Sequence, residues 1–340
     1  MSAIAVPPPS QGARIAVIDG VRAASILLVM AGHLLPLGPK PLMLNGAACG
    51  MGMALFFILS GFLITRFLDR SADLVAFYVK RAVRIVPLAY LYFLILFVFF
   101  NHSLSALVSE LSFTLNYRDA DIGLGNGHIW SLCVEMQFYL VIGLLYRLIP
   151  KQAPLALAGL CVAVTVLKIA ASAPYSMMTH LRGDEILAGS LLYSSLNGRF
   201  GDASRLWRLL EKGLPVTLLL FFISCNELAG PFQYARAYLA AALVGGVLMT
   251  ARPRLVAALT SAPAVYVARI SYALYIIHGG LMSGVFSGGS KLVLYGLKRP
   301  FTLLASFALA HVSTTWYEPF WTARARQWLK ARKRVPALAE

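Results

Sequence analysis

Apolar stretches of about twenty residues, joined by short polar segments, leave this chain few ways to fold. About ten occur in 340 residues, near 18–38, 46–66, 85–101, 129–149, 154–171, 183–198, 214–227, 234–250, 264–285 and 300–318. A helix of that length crosses the hydrocarbon core of a bilayer, where the backbone must satisfy its own hydrogen bonds. Composition agrees: 59% of residues are hydrophobic and 13% charged, too much apolar surface for a water-soluble domain of this size to bury. The expectation is an all-α integral membrane protein with about ten transmembrane helices. No repeat relates the two halves. Cys49, Cys133, Cys161 and Cys225 lie in apolar stretches without a CxxC pair, so neither a disulfide framework nor a metal site is expected.

The net charge of +16 would suggest nucleic acid in a soluble chain. Here the basic residues fall in short joints between apolar runs, which points to membrane topology and no nucleic-acid partner. With the N-terminus inside, twenty Lys and Arg residues lie on the cytoplasmic side and seven on the other, the rest sitting within or at the ends of spans. That asymmetry predicts an even number of spans with both termini cytoplasmic. The start, "MSAIAVPPPSQGARIAV", lacks the charge, apolar and small-residue order of a signal peptide. The expected organisation is a flexible cytoplasmic tail over 1–17, a transmembrane domain over 18–320 and a basic cytoplasmic tail over 321–340, with no appended soluble domain.

Ionisable groups inside spans are costly and mark function by default. The first span carries Asp19, Arg22 and His33. Arg22 and His33 are eleven residues apart, which places them on one helix face about 16 Å from each other. Histidine transfers protons near neutral pH, so His33 reads as a general base facing a buried cavity, or as a structural histidine bonded to a neighbouring helix. In "FYVKRAVRIVPLAY", Arg81 and Arg84 share a face at the start of a span. They suit a phosphorylated cytosolic ligand, or serve as positive-inside anchors. In "GHIWSLCVEMQFYL", Glu135 lies one turn beyond Ser131. It is positioned to activate His33, to act as acid or base itself, or to pair with Arg81, Arg84 or Arg182. "HLRGDEILAGSLLY" offers Arg182, Asp184 and Glu185 as an acceptor site or a salt-bridge cluster. "RISYALYIIH" offers Ser271, Tyr275 and His278, and Glu318 in "WYEPFW" reads as an interfacial anchor. GxSxG, Walker A, HExxH, GxGxxG and HxxxxD patterns are absent from the chain.

Taken in order, these segments resemble the acyltransferase-3 family of integral membrane acyltransferases. "IDGVRAASILLVMAGH" is similar to its opening helix with Arg22 and His33, and "FFILSGFLIT" to its second-helix signature. "KRAVRIVPLAY" resembles its Arg-x-x-Arg segment, and "WSLCVEMQFYL" the segment giving Trp130, Ser131 and Glu135. "RGDEILAGSLL", "ISYALYIIH" and "YEPF" match later, looser signatures. The resemblance implies O-acyl transfer, commonly of acetyl from acetyl-CoA, to a hydroxyl of a carbohydrate such as an exopolysaccharide or its lipid-linked precursor. It implies a multi-pass enzyme of the bacterial inner membrane with no metal cofactor. On this reading Arg22, Arg81 and Arg84 bind acyl-CoA, while His33 and Glu135 are catalytic, His33 either as general base or as acyl carrier. Asp19, Trp130, Ser131, Arg182, Asp184, Tyr275 and His278 are the candidates for the acceptor cavity. A transporter or flippase would use similar intramembrane charges, and an enzyme tailoring a small natural product would keep the chemistry but change the acceptor. Oligomeric state is not legible.

Overall fold

The computed structural model describes residues 11–71 and 73–334, and residues 1–10 and 335–340 of the two expected tails lie outside them. The described residues are helical throughout apart from turns and one isolated bridge, Arg199 with Gly201. In chain order the helices begin with α1 (Gln11–Leu34), α2 (Leu44–Arg70), α3 (Leu74–Phe99), α4 (Leu104–Leu111) and α5 (Trp130–Leu148). Then come α6 (Ala153–Ala170), α7 (Thr179–Arg182), α8 (Asp184–Leu196), α9 (Ser204–Lys212) and α10 (Leu214–Ser224). The last six are α11 (Arg236–Met249), α12 (Pro253–Leu259), α13 (Ala262–Leu281), α14 (Lys291–Val293), α15 (Arg299–Val312) and α16 (Glu318–Arg334).

Among the described residues, eight helical stretches are long and apolar enough to cross a membrane. The candidates at 183–198 and 214–227 form helices of 13 and 11 residues, α8 and α10, shorter than the ~20 residues a free-standing span needs. At the ends, helix α1 starts at Gln11, and the basic C-terminal segment is helical through Arg334.

The chain divides into two compact units. The first holds the described residues up to 66 together with 149–271, and the second holds the rest.

In the first unit, glycines set how closely helices approach. A Cβ on Gly61 of α2 would sit 1.9 Å from the Ile186 carbonyl oxygen of α8, and one on Gly189 of α8 would sit 2.1 Å from the Ile58 carbonyl oxygen of α2. The two backbones therefore touch, the small-residue packing usual between membrane helices. Gly52 does the same against Ser25 of α1, whose hydroxyl donates to the Gly52 carbonyl at 2.7 Å. Helix α8 packs on α6 and α11, and α11 on α9 and α10. Contacts at the two ends of α10 differ. Beyond its C-terminus, Asn226 donates to the Leu42 carbonyl in the α1–α2 connection at 2.9 Å. Before its N-terminus, the Glu211 and Lys212 carbonyls accept from Arg252 ahead of α12, and α12 packs at Gly20 near the start of α1.

In the second unit, α3 is the axis. Asp73 caps it by accepting from the Ala76 N–H at 2.9 Å, and Arg332 near the end of α16 pairs with the same carboxylate at 3.0 Å. Helix α16 runs along α3. Pro87 inside α3 removes one backbone N–H and so frees a carbonyl in the preceding turn. Beside this break, Tyr272 donates to the Ile85 carbonyl (2.6 Å) and Tyr317 to the Pro87 carbonyl (3.1 Å). The connection between α3 and α5 folds around a buried polar knot. His102 Nε2 faces the Leu124 carbonyl at 2.9 Å and so carries a proton. Its Nδ1 shares the other proton with Glu110 at 3.0 Å, and Asn126 also donates to Glu110.

Candidate functional site

The residues singled out from the sequence fall in both units. Asp19, Arg22, His33, Arg182 and Asp184 belong to the first. Arg81, Arg84, Trp130, Ser131, Glu135, Tyr275 and His278 belong to the second.

In the first unit, Arg22 is not an isolated cation, because Asp19 one turn earlier holds its guanidinium at 3.0 Å. His33 is half-buried in the last turn of α1. Pro36, Pro39 and Pro41 follow it and bar a longer helix. The carbonyls this end leaves over are taken by Asn45 of α2, whose amide donates to both Gly32 and Leu35 at 2.7 Å. The same side chain accepts from the Leu37 N–H at 3.3 Å. One asparagine thus ties down the residues on both sides of His33.

Arg182 and Asp184 are buried, 3% and 1% exposed, in a charge network. Lys168 pairs with Asp184 at 2.8 Å, and Arg236 with Glu185 at 2.7 Å. Arg182 reaches Glu185 at 3.4 Å. The Arg236 guanidinium stacks over Tyr175 at 4.6 Å and donates to the Pro174 carbonyl. These distances describe a salt-bridge cluster. Buried charges arranged this way fix helix register, because removing one partner strands the other in a medium that cannot solvate it.

In the second unit, a polar patch forms where α3, α5, α13 and α16 meet. Arg81 and the exposed Arg84 share one face of α3, and the Arg81 guanidinium lies 5.6 Å over the Tyr139 ring. Buried Glu135 is hydrogen-bonded to the Tyr139 hydroxyl one turn on. Tyr272 feels the charges of Glu318, Glu135 and Arg84. Glu318 accepts from Ser313 (3.3 Å) and Thr314 (3.1 Å) at the end of a π-turn, Ser313–Tyr317. Such turns re-aim side chains and recur at functional positions.

A second cluster lies around the start of α5 and the end of α13. The Tyr275 hydroxyl donates to the His128 carbonyl and receives the Ser131 hydroxyl. His128 Nε2 donates to the Ile276 carbonyl at 3.2 Å. His278 is fully buried and donates through Nδ1 to the Tyr275 carbonyl at 2.8 Å. The two imidazoles are 4.9 Å apart. Gly279 admits the His128 ring, since a Cβ there would lie 2.1 Å from it. Trp130, the first residue of α5, is half-buried. Among the described residues, no group of three or more His, Cys, Asp or Glu side chains is arranged to hold a metal ion.

Comparison with known families decides the class. The profile of the Acyl_transf_3 family, described as an acyltransferase domain, matches residues 15–316. The chain belongs to the acyltransferase-3 family. Among the described residues it has eight helices long and apolar enough to span a bilayer, as a multi-pass membrane protein does. One curated relative is the peptidoglycan O-acetyltransferase OatA of Listeria monocytogenes. It is 30% identical over 150 residues, which cover 36% of this chain and 23% of the relative. The chain thus matches less than a quarter of that protein's length. No solved structure matches.

Within this acyltransferase-3 member, several polar residues escaped the sequence reading. Lys168 and Arg236 are cations inside apolar helices, and that isolation was a usable signal. Tyr139 and Tyr272 carried none, because a tyrosine in a membrane helix is ordinary until its neighbours are known. Glu318 reads from sequence as an anchor, whereas the π-turn brings it to the Arg84 patch.

Proposed function

We propose that this acyltransferase-3 chain is a membrane O-acyltransferase of the bacterial inner membrane. It would move an acyl group, acetyl in the simplest case, from cytosolic acyl-CoA to a carbohydrate hydroxyl, as on a surface polysaccharide or its lipid-linked precursor. The observation that carries the reading is the family match over residues 15–316, which takes in Arg22, His33, Arg81, Arg84 and Glu135. The name of the Listeria relative, an O-acetyltransferase of peptidoglycan, supports the carbohydrate acceptor.

The chemistry assigned to each residue follows from its type and setting. Arg81 and Arg84 present two guanidinium groups on one helix face, the arrangement that holds phosphate by paired hydrogen bonds. Arg22, tempered by Asp19, guides the donor. Glu135 fixes Tyr139 beneath Arg81. His33 in its neutral form takes the acceptor's hydroxyl proton as the oxygen attacks the thioester carbonyl. The carbon–sulfur bond then breaks, and the departing thiolate takes the proton from the imidazolium. In the relay form of the same reaction, the imidazole is acylated first and passes the group on.

We read the topology as ten passes with both termini cytoplasmic, the membrane domain being 18–320 and the flanking segments 1–17 and 321–340. Support for counting α8 and α10 comes from the first unit: the two ends of α10 bond to the α1–α2 connection and to the segment before α12. Short helices with protein neighbours need not match the bilayer alone.

The test uses inside-out membrane vesicles, acetyl-CoA labelled in the acetyl group, and glycan precursor. Precursor-dependent labelling is expected in wild type, and His33→Ala at equal protein level should lower it by roughly 10²–10⁴-fold. Wild-type vesicles that consume no acyl-CoA of any chain length would sink the proposal.

A further inference from the structure

The stripe of α3 that carries the two arginines continues as an apolar wall. Arg81, Arg84, Leu88, Leu91, Ile95 and Phe99 follow one another at intervals of three or four residues, and so share a face. From Leu88 onward this face borders a cavity of about 690 Å³ within the second unit. The opposite wall is α15, with Leu309 and Val312, and the floor is Tyr92 with Gly280 of α13. The lining from Leu88 to Phe99 spans about 16 Å of helix, so the space is a trough and not a round pocket. Its mouth is open, because Leu91, Ile95, Leu309 and Val312 remain exposed. Both walls belong to helical stretches apolar enough to cross a membrane, so the mouth faces lipid.

Two features restrict what fits. The hydroxyls bordering the trough are already engaged: Tyr92 with the Gly125 carbonyl, Tyr317 with the Pro87 carbonyl, Ser313 with Glu318 and Ser283 with the Gly279 carbonyl. Apart from Asn101 at the Phe99 end, the walls offer a sugar, or the amide-bearing arm of coenzyme A, few polar partners for the groups it would bury. A hydrocarbon chain needs none. The second feature is spacing. Arg84 precedes Leu88 by one helical turn, about 6 Å, so a phosphate on Arg84 must be joined to its chain directly or through a short linker.

We infer that the second unit binds a lipid phosphate, its head on Arg81 and Arg84 and one hydrocarbon chain along the trough. The inference shares with the donor reading the assignment of Arg81 and Arg84 to phosphate, and it adds a second ligand, which competes with coenzyme A for the guanidinium pair. Glu135 and Glu318 lie near the pair and bond, respectively, Tyr139 and Ser313 with Thr314, and exposed Arg84 stands one turn before Leu88 at the start of the trough.

The full chain in phosphatidylcholine nanodiscs tests it, with labelled dodecyl phosphate as probe. Dodecyl phosphate should bind at least tenfold more tightly than butyl phosphate, inorganic phosphate or dodecanol. Arg84→Gln should weaken it at least tenfold, and so should Ile95→Trp or Leu309→Trp, which fill the trough from opposite walls. Equal affinity across chain lengths in wild type overturns the inference without any variant. So does wild-type affinity in both tryptophan variants, or equal binding of dodecanol. Coenzyme A should displace the probe. If dodecyl phosphate binds as described and coenzyme A neither binds nor displaces it, the lipid site stands and the donor reading falls. If coenzyme A binds and no alkyl phosphate does, the reverse holds.

Discussion

Asn45 shows how one side chain fixes the setting of another, His33, which the proposed function makes the base. Its amide satisfies the Gly32 and Leu35 carbonyls around His33, and each such bond is worth about 1 kcal/mol net. Asn45→Ala should therefore lower the unfolding free energy by about 2 kcal/mol, and Asn45→Asp, which cannot donate, should not restore it. Thermal unfolding of the two purified variants in one detergent checks this. Glu110 gives a pH-dependent counterpart outside the spans. Burial pushes its carboxyl above the usual carboxylate range, against the hydrogen bond from Asn126 and the charge and hydrogen bond of His102. The folded state then binds this proton more tightly than the unfolded state does. Its contribution to stability is complete at low pH and declines as pH rises through the raised value. Glu110→Gln should flatten that slope, read as unfolding temperature against pH.

Among the helices, α2 and α8 depend on the absence of two side chains. Gly61→Leu and Gly189→Leu each drive a side chain into carbonyl oxygens about 2 Å away, and neither backbone can retreat without losing its other contacts. Both should fail to give monodisperse protein on size exclusion. Gly159 of α6 is the control: nothing lies within 4 Å of a Cβ there, and Gly159→Ala should be at least as stable as wild type by the same assay, since alanine favours helix. Pro87 lies inside α3 without ending it, and Tyr272 and Tyr317 bond the Ile85 and Pro87 carbonyls on either side.

For the whole molecule the testable quantity is topology. In a chain with its four cysteines replaced, Lys40→Cys should react with a membrane-impermeant maleimide in intact cells. Arg254→Cys should react only after permeabilisation. Labelling of both from one side would remove the inside–outside assignment. Much of this molecule was readable from the chain. Apolar runs of span length follow from the bilayer's thickness and ordered motifs carry the family, both properties local in sequence. Arg22 with His33, and Arg81 with Arg84, could be placed on shared faces because each pair lies within one helix. Tertiary structure alone decided the rest. Glu318 reaches the Arg84 patch through a π-turn, Arg182 and Asp184 are consumed by Lys168, Glu185 and Arg236, and His128 joins Tyr275 and His278 only because Gly279 leaves room. Apart from local pairs such as Arg182 with Glu185, these are contacts between residues far apart in the chain, set by how closely helices approach, and no periodicity within a single helix encodes that distance.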